Sequence, residues 1–482
     1  MKYILFLIII LPLSLFAQVG INTETPDTSS ILDVTATDAG VLVPRLSTTQ
    51  MNAIATPATG LYIFNTTEND FYFYDGTSWV TIGSKQLPSE RTNFKLVQSV
   101  ADLADEDTGS NYVLNTNTLY EVNGTVVIDK PIDLNGAYIT GVDTTEDILA
   151  NGTGSALFAG SEGGSIRSLT ISSTGFPVFD INDTTGDQIL LFTNSIITGA
   201  SSVGTLNGLN LVFLSINQFL GNTNGLTITD ISTLLISNVF WTATNNGTFL
   251  NATGTFDNFQ IANGRIEVDS GETGLNVSSN PTIVNTALLG GLSFVGDGDF
   301  VDGYTTGTYP GFNFDNNWNV RCAGIPNETD ENASANFYSD SGLTTGFTQL
   351  IASGTSREVQ GNGSFTATNL FRFSAVGGNN DLIYEGREAR SVQVNASLSV
   401  RVSGAVGEFY AFAIARNGTI VTETNSVVQI SSNTQIQNIA LNGVLQLEPN
   451  DRVELFVQRL TDDGSGSDTD TLGVFSENLS IR

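Results

Sequence analysis

Ile189-Leu-Leu-Phe-Thr-Asn194, Leu211-Val-Phe-Leu-Ser-Ile-Asn217, Leu234-Leu-Ile-Ser-Asn238 and Phe259-Gln-Ile-Ala-Asn263 each run a short apolar segment into an asparagine. The asparagines lie 23, 21 and 25 residues apart. One coil of a parallel β-helix takes roughly this length, and each coil exposes an apolar face that only the next coil covers. Asparagine suits the tight bend because its amide bonds the adjacent backbone and tolerates the left-handed conformation. The alternative for these residues is an irregular β-sandwich with Asn-rich turns. Strict alternation along 234–241 turns Phe240 toward the core and leaves Trp241 as an exposed platform.

Working outward, the rhythm extends over 94–304, with entry coils at Tyr112-Val-Leu114, Leu119-Tyr-Glu-Val122, Thr125-Val-Val-Ile-Asp129 and Ile132-Asp-Leu-Asn-Gly136. Residues 318–482 instead carry long period-two segments. Examples are Leu370-Phe-Arg-Phe373, Ser391–Val400, Phe409–Ala415 and Arg452–Val457, with a turn at Arg416-Asn-Gly-Thr419. These describe an antiparallel sandwich. Residues 18–84 form a smaller unit with a hairpin turning at Asp75-Gly76 and a short helix starting near Ser47, and a polar linker follows. Residues 1–17 read as a signal peptide: Lys2, an apolar run to Phe16, then Ala17. The run is short for a membrane span, so no span is expected after its removal.

Composition narrows the chemistry. The 482 residues include 18 Lys+Arg against 49 Asp+Glu, a formal charge of −31, with no histidine and one cysteine. Histidine-dependent nucleophile systems and imidazole metal sites are excluded, as are an internal disulfide and Cys-based zinc or iron–sulfur sites. The acidity argues against nucleic-acid partners, whose phosphates need Lys and Arg. Only 14% of residues are charged and 49 are glycine, a balance that favours turn-rich β structure.

Gly20-Ile-Asn-Thr23, Leu32-Asp-Val34, Pro44-Arg-Leu-Ser-Thr48, Gly60-Leu-Tyr-Ile-Phe-Asn-Thr66 and Tyr74-Asp-Gly-Thr-Ser-Trp79 occur in the order seen in a module of secreted Bacteroidetes proteins, which this segment resembles. Similar segments occur in phage tail-fibre and tail-collar proteins. The resemblance implies an export-competent, surface-exposed or fibrous protein, often trimeric, and brings no catalytic residue. The middle region resembles, in rhythm alone, the right-handed parallel β-helix of pectate lyases and phage tailspikes. The C-terminal order of strands is similar to jelly-roll heads of the tumour-necrosis-factor and complement C1q type, which trimerise. The expected fold is therefore all-β, a right-handed parallel β-helix shaft followed by an antiparallel jelly-roll head.

Candidate sites are few. Tailspike-type enzymes cleave polysaccharide with paired carboxylates. Glu267 and Asp269, two residues apart on a strand, would share a face; Asp180, Asp183 and Asp187 also cluster, as does Glu272 near the first pair. In a chain with 49 acids such pairs are expected by chance, and the reading leans away from an enzyme. Lyases of this fold use Lys or Arg as base, for which Arg167 and Arg265 are the main candidates. Calcium could take the loop holding Asp297, Asp299 and Asp302, or the Asp462–Asp470 tip. Trp241, Tyr304 and Tyr309 could stack on sugars, and Cys322 reads as a small buried residue at a boundary. The function expected is that of a secreted, homotrimeric, fibre-like surface protein for adhesion or recognition of carbohydrate or cell surfaces. The alternatives are a tailspike-like polysaccharide depolymerase and a phage or prophage tail-fibre protein.

Overall fold

The computed structural model describes residues 18–82, 93–404, 406–461 and 469–482, so the expected signal peptide, the linker and the Asp462–Asp470 tip up to Asp468 lie outside the described residues. The chain divides into two compact units, Met1–Thr92 and Asn93–Arg482. No helix among the described residues is long and apolar enough to cross a membrane.

The first unit holds a two-stranded parallel sheet, Val19–Ile21 against Leu32–Val34. A four-stranded sheet orders Arg45–Leu46, Tyr62–Asn65, Asp70–Tyr74 and Trp79–Thr81. The helix Thr48–Asn52 opens with a capping box: Ser47 Oγ accepts the Gln50 N–H at 3.3 Å, and Gln50 Oε1 accepts the Ser47 N–H at 2.9 Å. Its core is slight. Among its described residues only Met51 and Ile63 are buried apolar side chains, whereas Ile31, Leu32, Val41 and Leu42 are each more than half exposed.

The second unit begins as a parallel β-solenoid. One face is a nine-stranded ladder from Tyr112–Val113 to Asp299–Asp302. Its rungs align Tyr112, Ile132, Phe158, Phe179, Gly204, Leu226, Leu250, Leu275 and Val301, so successive coils advance by 20 to 26 residues. The other two faces merge through Leu211–Leu220, whose first half pairs with Ile189–Thr193 and second half with Ile196–Thr198. A single apolar core runs inside from Val97 to Cys322.

The bend between the merged faces explains the asparagine rhythm and corrects part of it. Ser168, Asn194, Ile216, Asn238, Asn263 and Gly291 stand at one stacked corner, all with φ between 51 and 68°. A left-handed residue spaces consecutive inward side chains three positions apart instead of two. Inward residues therefore run Leu214, Asn217, Phe219 in one coil and Ile236, Val239, Trp241 in the next. Asn217 is thus not the bend residue: Ile216 is, and Asn217 points inward with no exposure, its Nδ2 donating to the Phe192 carbonyl at 2.9 Å. The same shift reverses the expectation for the aromatic pair. Trp241 is fully buried between Phe219 and Phe249, and Phe240 is the exposed ring. Ile216 adopts φ 55° with its β-branched side chain in solvent, a conformation costing about 1–2 kcal/mol with no packing to offset it. At a neighbouring corner Asn222 and Asn245, both buried, stack on each other: Asn222 donates to Asn245 Oδ1 through its backbone N–H at 3.0 Å and its Nδ2 at 2.9 Å. They satisfy backbone groups that the bend would otherwise strand inside the core.

Trp318–Ala323, paired in parallel with Thr282–Gly296, is the last solenoid strand. Beyond it lies an antiparallel sandwich. One sheet orders Phe365–Phe371, Ser334–Ser339, Thr469–Ile481, Arg390–Ser403 and Gln437–Leu447, with Phe347–Ala352 also on Thr469–Ile481. The other orders Phe373–Val376, Asp381–Tyr384, Arg452–Arg459, Phe409–Arg416 and Thr419–Ile420, with Ser356–Glu358 and Ser426–Gln429 added to its central strands. The segment 370–373 is not one strand. Arg372, at φ 56°, separates Phe365–Phe371 in the first sheet from Phe373–Val376 in the second. Asn417 and Gly418, both at positive φ, close the hairpin as their types predict.

Candidate functional site at the solenoid–sandwich junction

The junction is built by residues that end one core and start the other. Val320 and Glu328 exchange backbone hydrogen bonds at 3.1 and 3.0 Å, folding the chain back on the last solenoid strand. The Glu328 carboxylate accepts the N–H groups of Asn313 (2.7 Å) and Phe314 (3.0 Å). Burial pushes Glu328 up to about 7; those hydrogen bonds and the Arg372 charge oppose the rise. Arg372, itself buried, donates to Asn316 Oδ1 at 2.8 Å and to the carbonyls of Trp318 (2.7 Å) and Glu328 (3.3 Å), and its Nε lies 3.4 Å from Asp330. Asp330 Oδ2 accepts the backbone N–H groups of Arg387 and Glu388 at 2.8 and 3.0 Å. Arg387 then spans back to the solenoid, donating to the carbonyls of Asn317 (3.1 Å) and Asn285 (2.6 Å). Phe312 stacks on Phe371 at 3.9 Å between ring centres.

Over this latch lies a groove of about 470 Å3 lined by, among others, Thr286, Asn319, Arg321, Asp330, Arg387 and Arg390. Four arginines (321, 372, 387 and 390) converge here in a chain with only 18 basic residues. Arg372 is committed to the latch. Arg321 pairs with Glu331 at 2.7 Å, but both side chains are more than half exposed, so the pair contributes under about 1 kcal/mol and yields readily to a competing anion. Among the described residues neither Arg387 nor Arg390 makes an ion pair with a carboxylate. Planar guanidinium groups of this kind take carboxylate or sulfate oxygens through paired hydrogen bonds. A second hollow of about 500 Å3 opens beside Tyr309, Asn316 and Glu385.

The residues singled out from sequence take the following places. Glu267 accepts the Ala243 N–H at 3.0 Å and pairs with Arg265 Nε at 2.5 Å, which holds its carboxyl below the usual range. Asp269 lies beyond the end of that strand, in a turn where its N–H donates to Glu272 Oε2 at 2.8 Å. Asp183 is buried; burial pushes it up, but hydrogen bonds from Thr185 and Gln188 outweigh this and lower it. Asp180 and Asp187 are exposed, and Arg167 donates to Thr140 Oγ1 at 3.3 Å. Asp297, Asp299 and Asp302 are exposed, the last two at the ends of the final strand of the nine-stranded ladder, and they are not among the close acidic groups found in the described residues. Among the described residues, the three acidic groups whose oxygens lie within 4.8 Å of one another are Glu358, Asp381 and Glu454, none of which the sequence pattern marked. Tyr304 is buried, donating to the Pro281 carbonyl at 2.6 Å, and Tyr309 is half-buried with its hydroxyl on Glu385 at 2.8 Å, so neither ring is a free platform. Cys322 is a buried free thiol in the last solenoid strand.

Comparison with known proteins agrees with this picture in its N-terminal part. Residues 20–96 match the family model of a phage tail-like trimerisation region. No curated protein matches the chain. Among solved structures, a tumour-necrosis-factor protein described as Eiger from S. frugiperda aligns at 12% identity over 31% of this chain and 90% of that one, with a TM-score of 0.20.

Proposed function

We propose that the chain is the subunit of an exported, homotrimeric, fibre-like surface protein that recognises acidic carbohydrate on cell surfaces through the junction groove. The observation carrying the recognition is the gathering of four arginines on one groove of a chain whose formal charge is −31, two of them, Arg387 and Arg390, without an ion-paired carboxylate among the described residues. The groove also holds Asp330, Glu331 and Glu388, so a uronate or sulfated chain would engage it through the guanidinium groups of Arg387 and Arg390. A glycan array is the test. Binding should fall on acidic saccharides, weaken with salt and drop at least tenfold in the Arg387→Ser/Arg390→Ser variant; retention of full binding by that variant, or binding confined to neutral glycans, would discard the groove as the site.

The trimer rests on a separate observation. With two buried apolar side chains among its described residues, this unit cannot offset its own ordering entropy, and the exposed Ile31, Leu32, Val41 and Leu42 need partners. The trimerisation-region match over 20–96 supports two further copies as those partners. Sedimentation equilibrium should give about three times the chain mass of 51.2 kDa, less any processed leader. Ile31→Asp/Leu42→Asp should reduce it to one; a wild-type mass of one chain would refute the trimer.

A further inference from the structure

We propose that Glu358, Asp381 and Glu454 form a calcium site on the second sheet of the C-terminal sandwich, with Asn380 supplying a fourth protein oxygen. The site lies where two short strands, Ser356–Glu358 and Asp381–Tyr384, share one edge of Arg452–Arg459: Glu358 is opposite Phe456, and Leu382 is opposite Val453. Asp381 is thereby brought alongside Glu454, and oxygens of all three carboxylates gather within 4.8 Å. Among the described residues Arg452 is the cation in contact, with Nε 2.6 Å from Glu454 and Nη1 3.5 Å from Asp381. Three carboxylates against one guanidinium leave two negative charges, the complement of a divalent ion.

Beside the carboxylates, two buried oxygens have no hydrogen-bond partner among the described residues. Asn380 is 2% exposed; its Nδ2 donates to Glu358, while its Oδ1 is buried with no hydrogen bond. Asp381 is 4% exposed and its Oδ1 likewise has no partner. Unpaired buried oxygens of this kind are costly and rare. An all-oxygen set of flexible carboxylates plus an amide, half open on the Glu358 side, suits calcium, which takes six to eight oxygens and completes its shell with water. The ion would clamp two strand ends that share an edge but do not bond each other.

Calorimetric melting of the full chain, stripped with chelator and then titrated with CaCl2, tests this. A saturable rise of several degrees is expected, lost in Asp381→Asn and in Glu454→Gln and retained in Asp297→Asn/Asp299→Asn/Asp302→Asn. Should either core variant fail to fold, Glu358→Gln at the half-exposed rim must still lower the apparent calcium affinity at least tenfold. No rise in the native chain, an equal rise with Mg2+, or an unchanged rise in the Glu358, Asp381 and Glu454 variants would overturn the site.

Discussion

Acidification from about pH 8 to about pH 5.5, in chelator, is expected to raise the melting temperature of the solenoid–sandwich unit, the opposite of ordinary acid destabilisation. Glu328 is 1% exposed and burial raises its folded value from 4.5 to about 7. Between those values the native state holds a proton that the unfolded chain releases. Stability therefore climbs as pH falls through the folded value, and the gain is complete near the unfolded one. A shift of this size corresponds to about 3 kcal/mol, an order-of-magnitude figure. Glu477 adds in the same direction: it is buried, neither carboxylate oxygen has a hydrogen-bond partner among the described residues, and burial followed by the charge of Glu358 drives it well above its usual range. The carboxylates held low, such as Asp102, Asp183 and Glu267, contribute stability that is present above their unfolded values and lost only below about pH 4, outside this window. With no histidine in the chain, no imidazole titration overlies the signal. Scanning calorimetry across the range should show the slope, and Glu328→Gln should remove part of it, with Asp381, also pushed up to about 7, and Glu477 carrying the rest. A flat profile in the native chain, or a rise toward alkaline pH, would mean that Glu328 stays ionised inside the junction.

The sequence carried the solenoid but not the details of its corner. Apolar runs returning every twenty-odd residues require stacking whatever residue makes the bend, so the coil was legible even though Ile216 occupies a place where asparagine was expected. The orientation of Trp241 was not legible for the same reason. Alternation predicts facing only along an unbroken strand, and one left-handed residue at Asn238 exchanged the roles of Phe240 and Trp241. Among the C-terminal strands Arg390–Ser403 and Gln437–Leu447 followed their period because their sheet buries one face, whereas Phe409–Arg416 is buried on both faces and 370–373 is split at Arg372. Candidate sites fared differently. Spacing marks residues close in sequence, as at 297–302, whereas Glu358, Asp381 and Glu454 come from three strands 23 and 73 residues apart and meet only through the sheet register. The groove arginines at 321, 387 and 390 were equally invisible, since the last solenoid strand and the loop before Arg390–Ser403 approach each other only in the folded chain.

Replacing Arg372 by methionine is expected to cost about 3–5 kcal/mol and to split one cooperative transition of the second unit into two. Methionine keeps an apolar stem but not the guanidinium fork, so the loss lies mainly in what the guanidinium leaves behind. The carbonyls of Trp318 and Glu328 and the amide oxygen of Asn316 lose their donors inside the junction, and the Asp330 carboxylate loses its nearest cation. Arg372 also marks the point where the chain passes from one sandwich sheet to the other, so its partners are the last solenoid strand on one side and the sheet crossing on the other. Lysine should not rescue it: one ammonium cannot reach in the three directions that the planar fork serves. Asp330→Asn in the Arg372→Met background should restore part of the loss, because a neutral amide can still accept the Arg387 and Glu388 N–H groups without an uncompensated charge. The same variant series should weaken acidic-glycan binding at the groove, since Arg387 is oriented through Asp330. A single unshifted transition in Arg372→Met would show that the two cores are held together by the Phe312–Phe371 stack and the strand pairing alone.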